Sequence, residues 1–407
     1  MINMKKEIEI NKERLTYLIE LFKMNVGDLH ELISKNGNNP RKKSLHISDI
    51  YPENSIIKLS ILKQIDKIFK KGLHFYTNPD PCDKSTHESV FFRTPTLNTK
   101  LEHQDYAKIL ELEEDINHIN HLLTICDIPL TRILRKQKYT DDPVTIAELV
   151  RDKLKIGNDR LTNNQYKNKL LNFTNALAKF DIPVIEFIEH PTIKYKTNFE
   201  GLTISNFLII KHNTISKKRE IFTLAHELGH YILNQEAFDN SFNCEPQQDI
   251  ERWCNTFAIN LLLSNDSKKS LGLIRSFNAD TASLINNISN IDGVSELAIY
   301  LYLYTNNIIS WDNYIEHRNR VDQIIKDKKE KQNKKLKSNS DKTFGRIAKP
   351  IQSEIVERAY RMAYLQGAIE EYEVVQYFKP NISEIQRGFF DNFIYGTPMI
   401  STKKKAA

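Results

Sequence analysis

Leu15, Leu18, Ile19 and Phe22 recur at i, i+3, i+4 and i+7, marking one apolar helix face near the start of the chain. Asn25-Val26-Gly27 breaks that pattern, and Leu29, Leu32 and Ile33 begin a second helix. Ile47 to Asn54 then leads into a third amphipathic run, Leu59 to Phe69. Between Leu101 and Leu123, Leu110, Leu112, Ile116, Ile119 and Leu122 stand among many charges, the pattern of a spacer helix. The period changes after residue 180. Phe180 to Phe187, Glu200 to Ser205 and Phe207 to Ile210 are short β-branched runs with Gly and Asn at the breaks, and they predict strands. Two apolar helical stretches follow, Ile221 to Leu233 and Asp249 to Leu263, and then a third, Val294 to Leu303. Lysines dominate Ile325 to Lys342, which predicts a solvated linker or helix extension. Apolar spacing returns from Pro350 to about Phe393, through Ile355, Ala359, Met362 and Ala363 and then Val374, Val375, Tyr377 and Phe378.

The first of the apolar stretches carries chemistry. His226-Glu227-Leu228-Gly229-His230 puts two histidines four residues apart, so both lie on one helix face with Cβ atoms about 6 Å apart. Two neutral imidazoles suit zinc. Glu227 is turned about 100° from His226, beside a shared metal rather than on it, where a general base is needed. The competing reading is an amphipathic core helix whose histidines face solvent. Gly229 speaks against it, because a glycine costs about 1 kcal/mol in a helix interior and predicts close approach by substrate or by another helix.

A catalytic zinc site takes three protein ligands and leaves a fourth position open. In the second stretch, Glu251, Asn255, Ala258 and Leu262 share a face at i, i+4, i+7 and i+11. Glu251 is the expected third ligand. Asn255, one turn on, is expected to accept a hydrogen bond from the second ring nitrogen of a ligating histidine and so fix its tautomer. Glu236, Asp239 and Glu245 compete with Glu251 from the loop-like segment between the helices. A rigid helix places a ligand better than a loop does.

The stretch Arg219 to Tyr231, with Phe222-Thr223-Leu224-Ala225-His226-Glu227-Leu228-Gly229-His230, followed by Glu251 to Ala258, resembles the ImmA/IrrE family of zinc metallopeptidases. The Glu251-x-x-x-Asn255 spacing is also similar to that of the gluzincins. Cys254 departs from the family's usual Ala, a change that a buried thiol tolerates as a small apolar group. Ile146 to Leu154 resembles the helix that opens the family's peptidase domain, Phe180 to Phe187 its first strand, and Val294 to Leu303 its closing helical segment. The N-terminal helices resemble the helix-turn-helix domain of Xre repressors, often fused in front of this peptidase, and Phe91-Phe92-Arg93 recurs in such fusions. The candidate recognition helix, Arg41 to Tyr51, opens with Arg41-Lys42-Lys43 and carries few side chains that read base edges. A degenerate domain that dimerises or binds a partner protein is the equal alternative.

Composition adds limits. The 407 residues allow two or three domains, and 40% hydrophobic content supports ordinary cores. A net charge of +6 is too mild to argue for nucleic acid. Cys82, Cys126, Cys244 and Cys254 form no C-x-x-C pair, and no 18-residue apolar run or secretory h-region is present, so a reducing cytoplasm and no membrane contact are expected. A redox or thiolate role for Cys244 and Cys254, which flank Glu251, is the minor alternative. Tyr231, Tyr195 and His212 are the sequence-near donors to an oxyanion, and sequence order places none of them around the metal.

The expected fold class is α+β: a mostly helical multidomain chain whose small β-sheet and HExxH helix form a gluzincin-like metallopeptidase domain between helical N- and C-terminal domains. The expected division is a helical domain over 1–95, a linker helix region over 96–142, the peptidase over 143–310, a Lys-rich linker over 311–349 and a helical domain over 350–407. The expected function is zinc-dependent cleavage of a regulatory, repressor-type protein or antitoxin, with Zn2+ on His226, His230 and Glu251 and Glu227 as base. DNA binding through the N-terminal domain, a regulator with a silent or conditional protease site, and the effector of a toxin-antitoxin or phage-defence system remain as alternatives.

Overall fold

The computed structural model describes residues 7–22, 24–35, 45–69, 71–81, 103–156, 166–189, 196–212, 216–234, 245–274, 279–338, 349–380, 382–386 and 388–395. The chain is mostly helical with small sheets, an α+β arrangement, and divides into two compact units, Met1–Glu114 with Ile193–Phe199, and Asp115–Thr192 with Glu200–Ala407.

In the first unit, strands β1 (Glu7–Glu9) and β2 (Ile56–Lys58) pair antiparallel around helices α1 (Lys12–Leu21), α2 (Val26–Lys35), α3 (Ile47–Ile50), α4 (Leu59–Phe69) and α5 (Leu73–Thr77). Asn11 starts α1, its Oδ1 accepting the Glu13 N–H at 3.1 Å. The stripe Leu15, Leu18, Ile19 and Phe22 is buried, as its period requires, and Phe22 meets Phe69 edge-on at 4.7 Å between ring centroids. Where a recognition helix was expected, α3 is a single turn. Arg41, Lys42, Lys43, Phe91, Phe92 and Arg93 lie outside the described residues.

The boundary between the units falls within α6 (His103–Ile125). Ile109, Leu112, Ile116, Ile119 and Leu122 are all buried, so this helix presents an apolar face along its length.

The second unit holds α7 (Pro143–Leu154), α8 (Tyr166–Ala178), β3 (Val184–Phe187), β4 (Gly201–Ile204), β5 (Phe207–Lys211), α9 (Lys217–Leu233) and α10 (Glu245–Leu262). Among the described residues the sheet order is β3-β5-β4, with β5 parallel to β3 and antiparallel to β4. β4 is therefore an edge strand. The central β5 is buried from Phe207 to Ile210, which is why it reads as an unbroken apolar run.

Helices α9 and α10 form the centre of the core with Leu224, Leu228, Phe257 and Leu261. Residues from the segment before α7 tie their ends. Arg132 donates to Asn234 Oδ1 at 2.6 Å and to the Tyr231 carbonyl, closing the C-terminus of α9, and Asn234 takes the left-handed conformation usual there. Trp253 Nε1–H on α10 donates to the Asp141 carbonyl at 2.7 Å, and Arg151 from α7 donates to the Leu261 carbonyl at 2.9 and 2.6 Å, satisfying the last turn of α10.

Helices α11 (Asn265–Gly272), α12 (Ala279–Asp292), α13 (Glu296–Thr305) and α14 (Trp311–Ser338) follow, and then α15 (Glu354–Leu365), α16 (Glu371–Phe378), α17 (Ile382–Gln386) and α18 (Phe389–Ile394). Gln352 bridges Ile185 on the outer side of β3, and the Ile351 N–H donates to the Glu186 carboxylate. The apolar spacing that returns after residue 350 belongs to α15, which packs against α8, α16 and α18.

Gly229 settles why a glycine is tolerated mid-helix. A Cβ there would stand 3.2 Å from Cys254 Sγ and 3.3 Å from Cys254 Cα on α10. The close approach is to another helix. Gly229→Ala is expected to lower stability by about 1 kcal/mol, because overpacking costs roughly 1–3 kcal/mol and outweighs a propensity gain of about 1 kcal/mol. Thermal denaturation checks this; a variant as stable as the wild type would mean that the two helices can part freely.

Candidate metal centre

Helix α9 begins after Ser216 in an extended conformation and places His226 and Glu227 past its middle and His230 in its last turn. His226 Nε2 and His230 Nε2 are 3.0 Å apart. Glu251, in the first half of α10, brings Oε2 to 3.2 Å from His226 Nε2 and Oε1 to 3.5 Å from His230 Nε2. One donor atom from each of the three residues lies within 4.8 Å of the others. The remaining ring nitrogens point away from this meeting place. His226 Nδ1 is 3.1 Å from Asn255 Oδ1, so it is the donor and its Nε2 carries the lone pair. His230 Nδ1 faces Cys254 Sγ at 3.5 Å.

Electrostatics sharpen the picture. Burial opposes charging of His226, yet its hydrogen bond to Glu251 and the charges of Glu227 and Glu251 raise its pKa above the ordinary value. Burial also works on Glu251, but its contacts with His226 and His230 bring its carboxyl below the usual range. Glu227, only 7% exposed, is pushed up to about 7 by burial, against the opposing pull of His226 and of a hydrogen bond from Thr203. Cys254 is 0% exposed, and burial, with Glu251 and Glu227 adding to it, raises its thiol well above the ordinary value.

The donor chemistry fits zinc: two imidazole nitrogens and one carboxylate, borne on two packed helices, is a three-ligand catalytic set. Of the competing carboxylates, Glu236 and Asp239 lie outside the described residues, as does the side chain of Glu245. Two of the three candidate oxyanion donors lie among the described residues. The Tyr231 ring packs under the Arg132 guanidinium at 4.3 Å, and His212 Nδ1 donates to Glu186 Oε1 at 2.7 Å. Tyr195 and Cys244 lie outside the described residues.

Strand β4 supplies two residues that the sequence did not single out. Thr203 Oγ1 is 2.8 Å from Glu227 Oε2, and a Cβ on Gly201 would lie 2.6 Å from Glu227 Oε1. A glycine inside a strand is a signal of close backbone approach, and Gly201 carried that signal.

A second group of His and Glu side chains gathers at the start of α9. Glu186, His212 and Glu220 are mutually close enough to hold an ion, and both carboxylates are essentially inaccessible, at 1% and 0% side-chain exposure. Here the cation is internal. Lys217 Nζ donates to both Glu220 oxygens at 2.8 and 2.7 Å and stands 3.7 Å from Glu186 Oε1.

A family model described as Peptidase_M78, IrrE N-terminal-like domain, matches residues 179–268. The matched span runs from before β3 into α11 and includes His226, Glu227, His230, Glu251 and Asn255. This part of the chain is similar to a metallopeptidase family. No curated protein matches the chain.

Lys217→Met is expected to cost about 3 kcal/mol, because it leaves two buried carboxylates without their ammonium partner. Urea denaturation measures the loss, and Lys217→Arg should recover most of it. A loss under about 1 kcal/mol would mean that the carboxylates do not depend on Lys217.

Proposed function

We propose that this chain is a zinc-dependent endopeptidase with His226, His230 and Glu251 as metal ligands, Asn255 as the partner that orients His226, and Glu227 as general base. The observation that carries the reading is the convergence of two Nε2 atoms and one carboxylate from neighbouring helices, beside a buried glutamate, within a span similar to a metallopeptidase family. A zinc ion held by His226 Nε2, His230 Nε2 and Glu251 supplies Lewis acidity towards a peptide carbonyl and acidifies water.

The chain's own residues do the proton work. Glu227 takes one proton from the attacking water as the C–O bond forms, and delivers it to the leaving nitrogen as the C–N bond breaks. Asn255 holds His226 in the tautomer that presents Nε2.

The substrate we assign is a folded or partly folded regulatory protein of repressor type, on the strength of the resemblance to the ImmA/IrrE family. No described helix is long and apolar enough to cross a membrane, which fits the cytoplasmic setting that we assign.

Glu227→Gln is expected to lose at least about 100-fold in proteolysis while keeping one zinc per chain, because the base is removed and the ligands stay. His230→Ala and Glu251→Ala are expected to lose zinc and activity together. Comparing cellular proteins by mass spectrometry, in cells producing wild type or Glu227→Gln, identifies the substrate and the cleaved bond. Identical cleavage products in both strains would overturn the mechanism, and full zinc content in Glu251→Ala would remove Glu251 from the ligand set.

A further inference from the structure

We propose that Thr203, on the edge strand β4, is the positioning residue of the general base, and that Gly201 is the space this arrangement requires. The inference rests on the reading of Glu227 as base.

The Thr203 hydroxyl has one proton and two acceptors within reach, Glu227 Oε2 at 2.8 Å and the Glu227 backbone carbonyl at 3.1 Å. The charged oxygen is the nearer and stronger acceptor, so the proton lies towards Oε2 while Glu227 is ionised. With Oε2 engaged, Oε1 is the oxygen that takes a proton. Oε1 in turn lies against bare backbone: a Cβ on Gly201 would stand 2.6 Å from Oε1, 2.9 Å from Glu227 Cγ and 2.5 Å from Thr223 Cγ2. At distances this short a side chain at position 201 would displace Glu227 or Thr223. Glu227 is thus confined by its own helix on one side and by β4 on the other. A glutamate without these contacts samples several rotamers, and each wrong one withdraws the base from the water.

The residue type fits the task. Thr is β-branched, so its χ1 is restricted and its hydroxyl is held towards the helix without extra contacts. Through the reaction Thr203 keeps its proton. When Oε1 accepts the proton from water, Glu227 becomes a neutral acid and its hydrogen bond from Thr203 weakens. The backbone carbonyl of Glu227 is then the alternative acceptor. As the proton passes to the leaving nitrogen the carboxylate is restored, and the hydroxyl returns to Oε2.

The test uses the zinc-loaded full-length chain and a quenched-fluorescence peptide selected by wild type from a random library. Thr203→Val keeps size and branching but lacks the hydroxyl; we expect kcat to fall about 100-fold, the cost typical of a misplaced catalytic group, with KM and zinc content unchanged. Thr203→Ser should recover kcat to within about threefold of wild type, since it restores the donor. A Thr203→Val variant with wild-type kcat, or a Thr203→Ser variant as slow as Thr203→Val, overturns the proposal. Crystal structures give a readout free of any substrate: Glu227 should occupy one rotamer in wild type and Thr203→Ser and several in Thr203→Val. A single unchanged rotamer in Thr203→Val overturns the proposal as well. Glu227→Gln in the same assay separates the two readings. If it still cleaves, the assignment of the base fails; if it is inactive beside a fully active Thr203→Val, only the positioning role fails.

Discussion

The candidate metal centre depends on how closely α9 and α10 approach one another. At the contact α9 presents Gly229, and the space a Cβ would take is filled by Cys254 of α10, with its Cα only 3.3 Å from that point. Cys254 lies three residues beyond Glu251 and one before Asn255, so the face of α10 that packs on α9 is the same face that reaches the histidines. With the helices this close, a carboxylate one turn before the contact comes within 3.2 Å of His226 Nε2, and an amide next to the contact comes within 3.1 Å of His226 Nδ1. Packing and chemistry therefore share one surface. Arg132 and Arg151 hold the C-terminal ends of the two helices, and Asp141 holds the middle of α10 through Trp253.

Helical periodicity explains how much of this was legible in the sequence. Spacing along a helix translates directly into position around its axis, so His226, His230, Glu251 and Asn255 were readable as two facing pairs, and the structure brings them to one place. The same rule explains why Tyr231 was a poor candidate for the oxyanion: it is turned about 100° from His230, away from the metal face, and packs against Arg132. His212 was near in sequence only. It follows β5, and its ring is held by Glu186 of β3. Thr203 and Gly201 escaped notice for a different reason. The runs before α9 predict strands, and their alternation says which residues share a face, but not which strand lies at the sheet edge or what packs against that face. The order β3-β5-β4 is a tertiary fact, and it is that order which brings β4 against Glu227. In α6 the apolar positions read from the sequence, Leu110, Leu112, Ile116, Ile119 and Leu122, are the ones that are buried.

Two clusters of the same donor types each draw on α9, and their charge balance separates them. At the start of α9 the carboxylates of Glu186 and Glu220 gather round the Lys217 ammonium, so the negative charge is answered from within the chain. At the middle of α9 the groups acting on Glu227 and Glu251 are His226, His230 and one another. If both carboxylates are ionised and both imidazoles neutral, that site carries two negative charges in a setting where Glu227 is almost fully buried. Desolvated charge of one sign is costly, and it is relieved either by protonation or by a cation. Burial lifts Glu227 to about 7, which is the first kind of relief. A cation held by His226, His230 and Glu251 would be the second, and it would draw the same carboxylate back towards its ionised form. The protonation of Glu227 would then follow the occupancy of the neighbouring site.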